Sequence, residues 1–336
     1  MARSRHLSRW VESQWRRIGP LALLGLPLSL LFRAAVALRR LAYRLGLRPR
    51  YRADCPVIVV GNLTVGGSGK TPLVIWLAEW LSELGWRPGI VSRGYGGRAR
   101  HWPQQVRADS DPTSVGDEAV VLARRTGRPV CVGPDRAAAS AALLAHTDCD
   151  IVLSDDGLQH LALERDIEIV VVDGRYRFGN GLMLPAGPLR EPRSRLRSVD
   201  LVVCSGDPVP GGFRMRLRAP RLVALHDPQR VRELDELRGR RVRAIAGIGN
   251  PERFFEMLRR HGLQVETVAF PDHYDYRPQD LAWDDGLPLL MTEKDAVKCR
   301  RLGPRDDAWV VQVDVQPEAA FVHRLKKLLL ERTGRG

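Results

Sequence analysis

Eleven residues from Gly61 to Thr71, GNLTVGGSGKT, carry the types needed to grip a polyphosphate. Glycines let consecutive backbone amides turn toward one point, Lys70 brings an ammonium for the β- and γ-phosphates, and the Thr71 hydroxyl suits Mg2+. The expected nucleotide-binding set is Thr64, Val65, Gly66, Gly67, Ser68, Gly69, Lys70 and Thr71. A strict P-loop asks for glycine five places before Gly69; Thr64 stands there, and Gly61, Gly66 and Gly67 are expected to shape an equivalent turn. Further on, Asp155 and Asp156 close the apolar run Ile151–Ser154, the position from which a carboxylate holds Mg2+ or its water beside a P-loop. A strand-ending Asp-Gly turn is the bland alternative, and which aspartate lies nearer the metal stays open. Gly116, Asp117 and Glu118 open a helix, where carboxylates also serve as caps and dipole partners. Together these groups would handle an Mg2+-bound nucleoside triphosphate.

The elements that must position them are legible as alternating strands and helices. A short β-branched run, Cys55–Val60, precedes the glycine loop, and a helix with apolar residues at helical spacing, Pro72–Leu84, follows it. That strand-loop-helix context is the one a P-loop requires. Further strands are expected at Gly89–Ser92, Pro129–Val132, Asp150–Ser154, Ile167–Val172 and Asp200–Cys204. Continuous apolar strands separated by helices imply an α/β fold: a P-loop NTPase-like parallel sheet covered by helices. A second, smaller α/β unit is expected from strands near Val242–Ala246, Pro288–Met291 and Trp309–Val313, with a helix from Pro251 to His261. Gly247-Ile-Gly249-Asn-Pro251 lacks the third glycine of a dinucleotide fingerprint and reads as a strand-to-helix turn with Pro251 at the first helical position. The expected organisation is an N-terminal segment over 1–50, a P-loop core over 51–206 and the second unit over 213–336. With 336 residues the chain is long enough for two cores.

The first fifty residues differ from the rest. Arg3, Arg5, Arg9, Arg16 and Arg17 precede the apolar run Pro20–Phe32, and Arg33, Arg39, Arg40 and Arg44 follow. Arg33 cuts the run short of the ~20 apolar residues that span a bilayer, so a membrane-associated helix is expected, either lying in the interface of an anionic membrane or crossing as a short tilted span with a snorkelling arginine. A signal peptide shares this pattern, but the nucleotide machinery behind it requires cytosol. The formal charge of +14 favours polyanions in general. No DNA- or RNA-binding signature accompanies it, so no nucleic-acid partner is expected. Five cysteines without a CxxC pair fit a reducing compartment better than a disulfide framework or zinc site. Thr292-Glu-Lys294-Asp295 is close to the guanine-specificity element of GTPases, but its lysine falls one place late, which weighs against a GTPase or ATPase switch acting on a protein.

Nine segments in order resemble the tetraacyldisaccharide 4'-kinases of lipid A biosynthesis. They are the apolar N-terminus, GNLTVGGSGKTP (61–72), SRGYGG (92–97), GDE (116–118), DDGLQH (155–160), LPAGPLREP (184–192), GIGNPERFF (247–255), FPDHY (270–274) and TEKDAVK (292–298). The resemblance covers nearly the whole chain and departs chiefly at Ser68, where threonine is common, and at the C-terminal tail. It implies ATP and Mg2+ as cofactors and transfer of the γ-phosphoryl group to the 4'-hydroxyl of a tetraacylated glucosamine disaccharide 1-phosphate at the inner-membrane face. An oligomer is not required. Asp117 is the implied base, and His273 is expected to meet it across the cleft between the two units, with Lys70 completing the catalytic set. Thr71, Asp155, Asp156 and Glu118 are the expected Mg2+ ligands. Tyr95, Gln159, Arg190 and Glu191 are expected to face the acceptor, Arg190 by pairing with its phosphate.

Overall fold

The computed structural model describes residue 15 and residues 17–335 other than 219, 220 and 284. The basic lead at Arg3, Arg5, Arg9 and Arg16 lies outside the described residues. In chain order the regular elements begin with α1 (Pro20–Arg44), β1 (Val57–Gly61), α2 (Lys70–Glu83), β2 (Pro88–Ser92), β3 (Gln104–Val106), the short α3 (Pro112–Val115) and α4 (Asp117–Thr126). They continue with β4 (Val130–Val132), α5 (Arg136–Ala145), β5 (Ile151–Asp155), β6 (Ile167–Asp173), β7 (Leu201–Ser205), β8 (Phe213–Leu217), β9 (Arg221–Ala224) and β10 (Val231–Glu233). The last are β11 (Arg241–Ala246), α6 (Pro251–Arg260), β12 (Gln264–Ala269), β13 (Leu289–Thr292), α7 (Glu293–Cys299), β14 (Ala308–Gln312), β15 (Val315–Pro317) and α8 (Ala319–Thr333).

Two sheets result. The larger has the order β15-β8-β7-β6-β1-β5-β2-β4-β3, parallel from β8 to β4 with antiparallel edges. Its central strands are buried at every residue, the signature of a sheet covered on both faces. One covering layer brings Leu73, Leu77 and Leu81 of α2 and Phe321 and Leu325 of α8 onto Ile58, Val60 and Ile169. The smaller sheet runs β10-β9-β14-β13-β11-β12, with β12 to β14 parallel and β9 and β10 antiparallel. β1 lies between β5 and β6 in register Val60↔Asp155, so the chain leaves β1 beside the Asp155 carboxylate.

Two features differ from the sequence reading. The strand pairing returns Phe213–Leu217 and Val315–Pro317 to the larger sheet, with α8 packed behind them, whereas everything from 213 onward was expected in the second unit. These short strands, at and next to the sheet's edge, carry no chemical punctuation that betrays which sheet they join. The second is α1, which passes through Arg33 and runs 25 residues, about 37 Å at the helical rise. One stripe of it docks: Ser29 Oγ donates to Met183 O at 2.8 Å, Phe32 and Val36 pack into the core, and Arg40 pairs with Glu191. At Gly25, one turn earlier on this stripe, a Cβ would meet the Ala186 backbone at 3.1 Å, so only glycine lets the helix lie this close. The rest of α1 is bare, with Leu24, Leu31 and Leu38 each more than two-thirds exposed.

Candidate active site

The loop after β1 turns through Gly66 and Gly69, both at positive φ, and delivers Lys70 at the start of α2. Among the described residues, the amides of Gly66 to Gly69 donate to no other group of the chain, which leaves them aimed for an anion. Ser68 is buried with its Oγ unsatisfied. Thr64 explains its own departure from the strict pattern. It forms an antiparallel bridge with Leu189, while the Val65 amide donates to Pro188 O at 2.9 Å, and neither residue takes the left-handed backbone that favours glycine. The Val65 amide is thereby committed to the chain, and the free amides begin at Gly66.

At the end of β5, Asp155 is fully buried and its Oδ1 has no hydrogen-bond partner. Burial, with the repulsion of Glu118 and Asp156 against the relief of Lys70, pushes its carboxyl up to about 7. Asp156 takes a left-handed φ of 50°, which costs a non-glycine residue about 1 kcal/mol or more. Lys70 Nζ at 3.4 Å and Arg190 Nη1 at 3.2 Å hold its carboxylate in that position. Burial raises the Asp156 pKa, but these two cations outweigh it and the net direction is down. An orphaned buried oxygen on Asp155 amid mutually repelling carboxylates is what a divalent cation satisfies. Among the described residues no three carboxylate, histidine or cysteine side chains form a complete cage. Mg2+ needs only one or two protein carboxylates when it shares nucleotide phosphates, a demand that Asp155 with one of its neighbours Asp156 or Glu118, and the Thr71 hydroxyl, fits without a three-carboxylate cage.

Asp117 opens α4 and is 3% exposed. Its Oδ2 accepts from His273 Nδ1 at 3.0 Å and lies 3.6 Å from Lys298 Nζ. His273 comes from the loop after β12 and holds a left-handed φ of 55°. Burial works to raise Asp117, but the hydrogen bond from His273 and the charges of His273, Lys294 and Lys298 hold it below the usual carboxylate range. The same hydrogen bond raises His273 above 6.5 against its own burial. Tyr95 is exposed with its ring 5.2 Å from the imidazole. The glycines around it are there for close approach: a Cβ on Gly96 would meet His273 Nδ1 at 3.0 Å, and one on Gly116 would meet Tyr95 O at 2.6 Å.

Two of the residues expected to face the acceptor, Glu191 and Gln159, have partners within the chain. Glu191 is buried and ties Arg40 of α1 to Arg195, and its Oε1 accepts from Gln159 Nε2 at 2.9 Å. Gln159 also donates to Asn62 O, one residue after β1. Both thus brace the phosphate loop from behind, because a buried carboxylate beside two guanidiniums is already satisfied. Arg190, expected to pair with the acceptor's phosphate, donates to Asp156 Oδ2 at 3.2 Å. Four cations escaped the sequence reading. Lys294 Nζ pairs with Glu118 Oε1, Lys298 faces Asp117, Arg253 donates to Gly67 O at 3.1 Å and Asp173 Oδ2 at 2.8 Å, and buried Arg136 donates to Asp156 O at 3.3 Å. Both lysines stand in the segment TEKDAVK, which pointed to no role for either; a further signal was scarcity, since lysine occurs only at 70, 294, 298, 326 and 327, and three of the five stand here.

A glycine loop at the carboxyl edge of a parallel sheet, with a carboxylate on a helix of the same sheet met by an imidazole from the second sheet's loop, defines a P-loop-type phosphotransferase. A family model described as tetraacyldisaccharide-1-P 4'-kinase matches residues 21–330, and the chain belongs to that family. A tetraacyldisaccharide 4'-kinase from Nitrosococcus oceani is 55% identical over 95% of this chain and 97% of its own length. One from Pseudomonas aeruginosa is 47% identical over 92% and 93%. Among solved structures, LpxK from Aquifex aeolicus in complex with ATP matches with a TM-score of 0.77 and 28% identity over 91% of this chain and 97% of that one.

Proposed function

We propose that this chain phosphorylates the 4'-hydroxyl of a tetraacylated glucosamine disaccharide 1-phosphate with ATP, a step of lipid A biosynthesis, at the cytoplasmic face of the inner membrane. The observation that carries this reading is the Asp117–His273 pair, 3.0 Å apart, facing the cleft that also holds Lys70. Bound ATP with Mg2+ supplies the phosphoryl group and neutralises its charge. The amides of Gly66 to Gly69 and the Lys70 ammonium hold phosphate oxygens, and Thr71, Asp155, Asp156 and Glu118 hold the metal. Asp117 takes the proton of the acceptor hydroxyl at its carboxylate, and His273 keeps that carboxylate charged and aimed. The low proton affinity of Asp117 suits a loose transition state, in which the hydroxyl becomes acidic only as bond formation proceeds. Tyr95, exposed beside His273, faces the acceptor. The bare apolar side of α1 sits against lipid and keeps the cleft near a membrane-embedded substrate, with Arg33 and Arg39 at the headgroup level.

The test is ATP turnover with and without the acylated disaccharide phosphate. The expected result is phosphate transfer only with the acceptor, and loss of most turnover in a folded Lys70→Ala variant. Acceptor-independent ATP consumption, or near-normal transfer by Lys70→Ala, would overturn the reading.

A further inference from the structure

Where α4 and α7 lie side by side, the structure holds a cavity of about 270 Å3 between the two sheets. Its walls are apolar, with Val121 from α4, Val297 from α7 and Val310 from β14, but two guanidiniums also line it, Arg124 and Arg300. We propose that this cavity is a binding site for a tetrahedral oxyanion of the phosphate class, held between Arg124 and Arg300.

The argument starts from charges that lack partners. Arg125, on the same wall, is paired with Glu293 and Asp314, and Arg301 is paired with Asp111. Arg124 and Arg300 form no ion pair or side-chain hydrogen bond among the described residues, and the Nε of each is buried without an acceptor. Of the opposite charges, Asp109 reaches Arg124 only through space, while Arg301 repels it. Burial lowers both guanidiniums, and the Arg124 charge adds to the effect on Arg300, which falls to about 10. Two half-buried like charges beside one cavity repel each other, and an anion between them relieves that repulsion. The cavity walls carry Arg124, Arg125 and Arg300 against Glu293 alone, so the site keeps an excess of positive charge after the Arg125–Glu293 pair is counted.

Size and geometry narrow the ligand. Guanidiniums match tetrahedral oxyanions through paired N–H donors. The volume falls below the ~300–1,000 Å3 of pockets that enclose drug-sized ligands, so a whole nucleotide is too large. Free phosphate and a small phosphomonoester with a short apolar body both fit. α4 begins with Asp117 and Glu118, and α7 carries Lys294 and Lys298, so an anion fastens together the two helices whose side chains meet in the active site.

The test is calorimetric titration of the full chain with inorganic phosphate, and separately with glycerol 3-phosphate, after saturating the phosphate loop with a non-hydrolysable ATP analogue and Mg2+. The expected result is one further site per chain, weakened about tenfold or more in Arg124→Gln/Arg300→Gln, about 1.4 kcal/mol, and retained in Arg238→Gln. Tighter binding of the monoester identifies an organic phosphate as the ligand, and equal binding identifies free phosphate. No additional site, or equal affinity in the double variant, overturns the proposal. Should the double variant fail to fold, tungstate located by anomalous scattering in wild-type crystals decides: density between the two guanidiniums supports the site, and tungstate elsewhere or nowhere rejects it.

Discussion

Asp117 and His273 shift in opposite senses because each stabilises the charge of the other, and that coupling has two measurable consequences. General-base assistance is worth about 10²- to 10⁴-fold, so Asp117→Ala is expected to lower kcat by that order with ATP affinity nearly unchanged. His273→Ala should cost no more, and the double variant should be little worse than Asp117→Ala, since groups acting as one unit are non-additive. Strictly additive losses would separate them. The second consequence is in stability. The depressed Asp117 contributes stability above its unfolded value near 3.8, lost as pH falls through its lowered folded value. The raised His273 contributes stability fully present below 6.5, lost as pH rises through its raised folded value. The Tm deficit of His273→Ala against wild type is therefore expected to be larger at about pH 6 than at about pH 9, and an equal deficit at both would contradict the charge assignment. The P-loop residues and the Asp155-Asp156 pair could be named from the residues themselves because glycine, lysine and paired carboxylates at fixed spacing carry their chemistry locally, whereas the role of Asp117 came through the family resemblance and His273 needed the placement of the second unit across a cleft. Lys294 could not be named, since its partner Glu118 lies 176 positions away and only the pairing of α7 with α4 joins them.

At the scale of elements, α1 combines two roles that its sequence presents as one. Hydropathy announced an apolar segment, and its 18-residue core has a mean hydropathy of 2.1. It could not announce the docked stripe through Gly25, Ser29, Phe32, Val36 and Arg40, because small and polar residues on an apolar helix gain meaning only from what they touch. Length and composition let this helix cross a membrane. Arg33 at mid-helix and a protein-covered stripe along much of its length favour residence in the interface instead, since a charge at the bilayer centre costs about 2.5–3.5 kcal/mol or more. Arg40 then connects this helix to Glu191, next to the Arg190 that holds Asp156. Arg40→Ala should consequently lower turnover while leaving binding to anionic phospholipid vesicles intact, whereas deletion of residues 1–45 should abolish vesicle binding. Vesicle flotation and a transfer assay on the same preparations check both. Loss of vesicle binding in Arg40→Ala, or unchanged turnover, would break the proposed link.

At the scale of the whole molecule, both sheets present the carboxyl ends of their parallel strands to one cleft, and the chain crosses between them twice, after β8 and after β14. The β8–β15 edge pair anchors both crossings on the larger sheet, which is why a boundary drawn by composition fell a strand early. Across the cleft, His273 and Lys298 meet Asp117, Lys294 meets Glu118, and Arg253 reaches the Gly67 carbonyl. The Lys294 contact is in tension with a metal, because Glu118 cannot give its full charge to both an ammonium and Mg2+. Both side chains are about a third exposed, so the pair is worth up to about 1 kcal/mol, a factor of about five. Lys294→Ala is therefore expected to raise apparent Mg2+ affinity, measured with a non-hydrolysable ATP analogue, by up to about fivefold. The same substitution removes a strut between the sheets, so amide hydrogen exchange should quicken at 247–250 and 270–276 in the nucleotide-free protein while β1 and β5 stay protected. The two readouts move in opposite functional directions, tighter metal and looser closure, which a general loss of folding cannot reproduce. Unchanged Mg2+ affinity with unchanged exchange would mean that Lys294 neither competes with the metal nor joins the two halves.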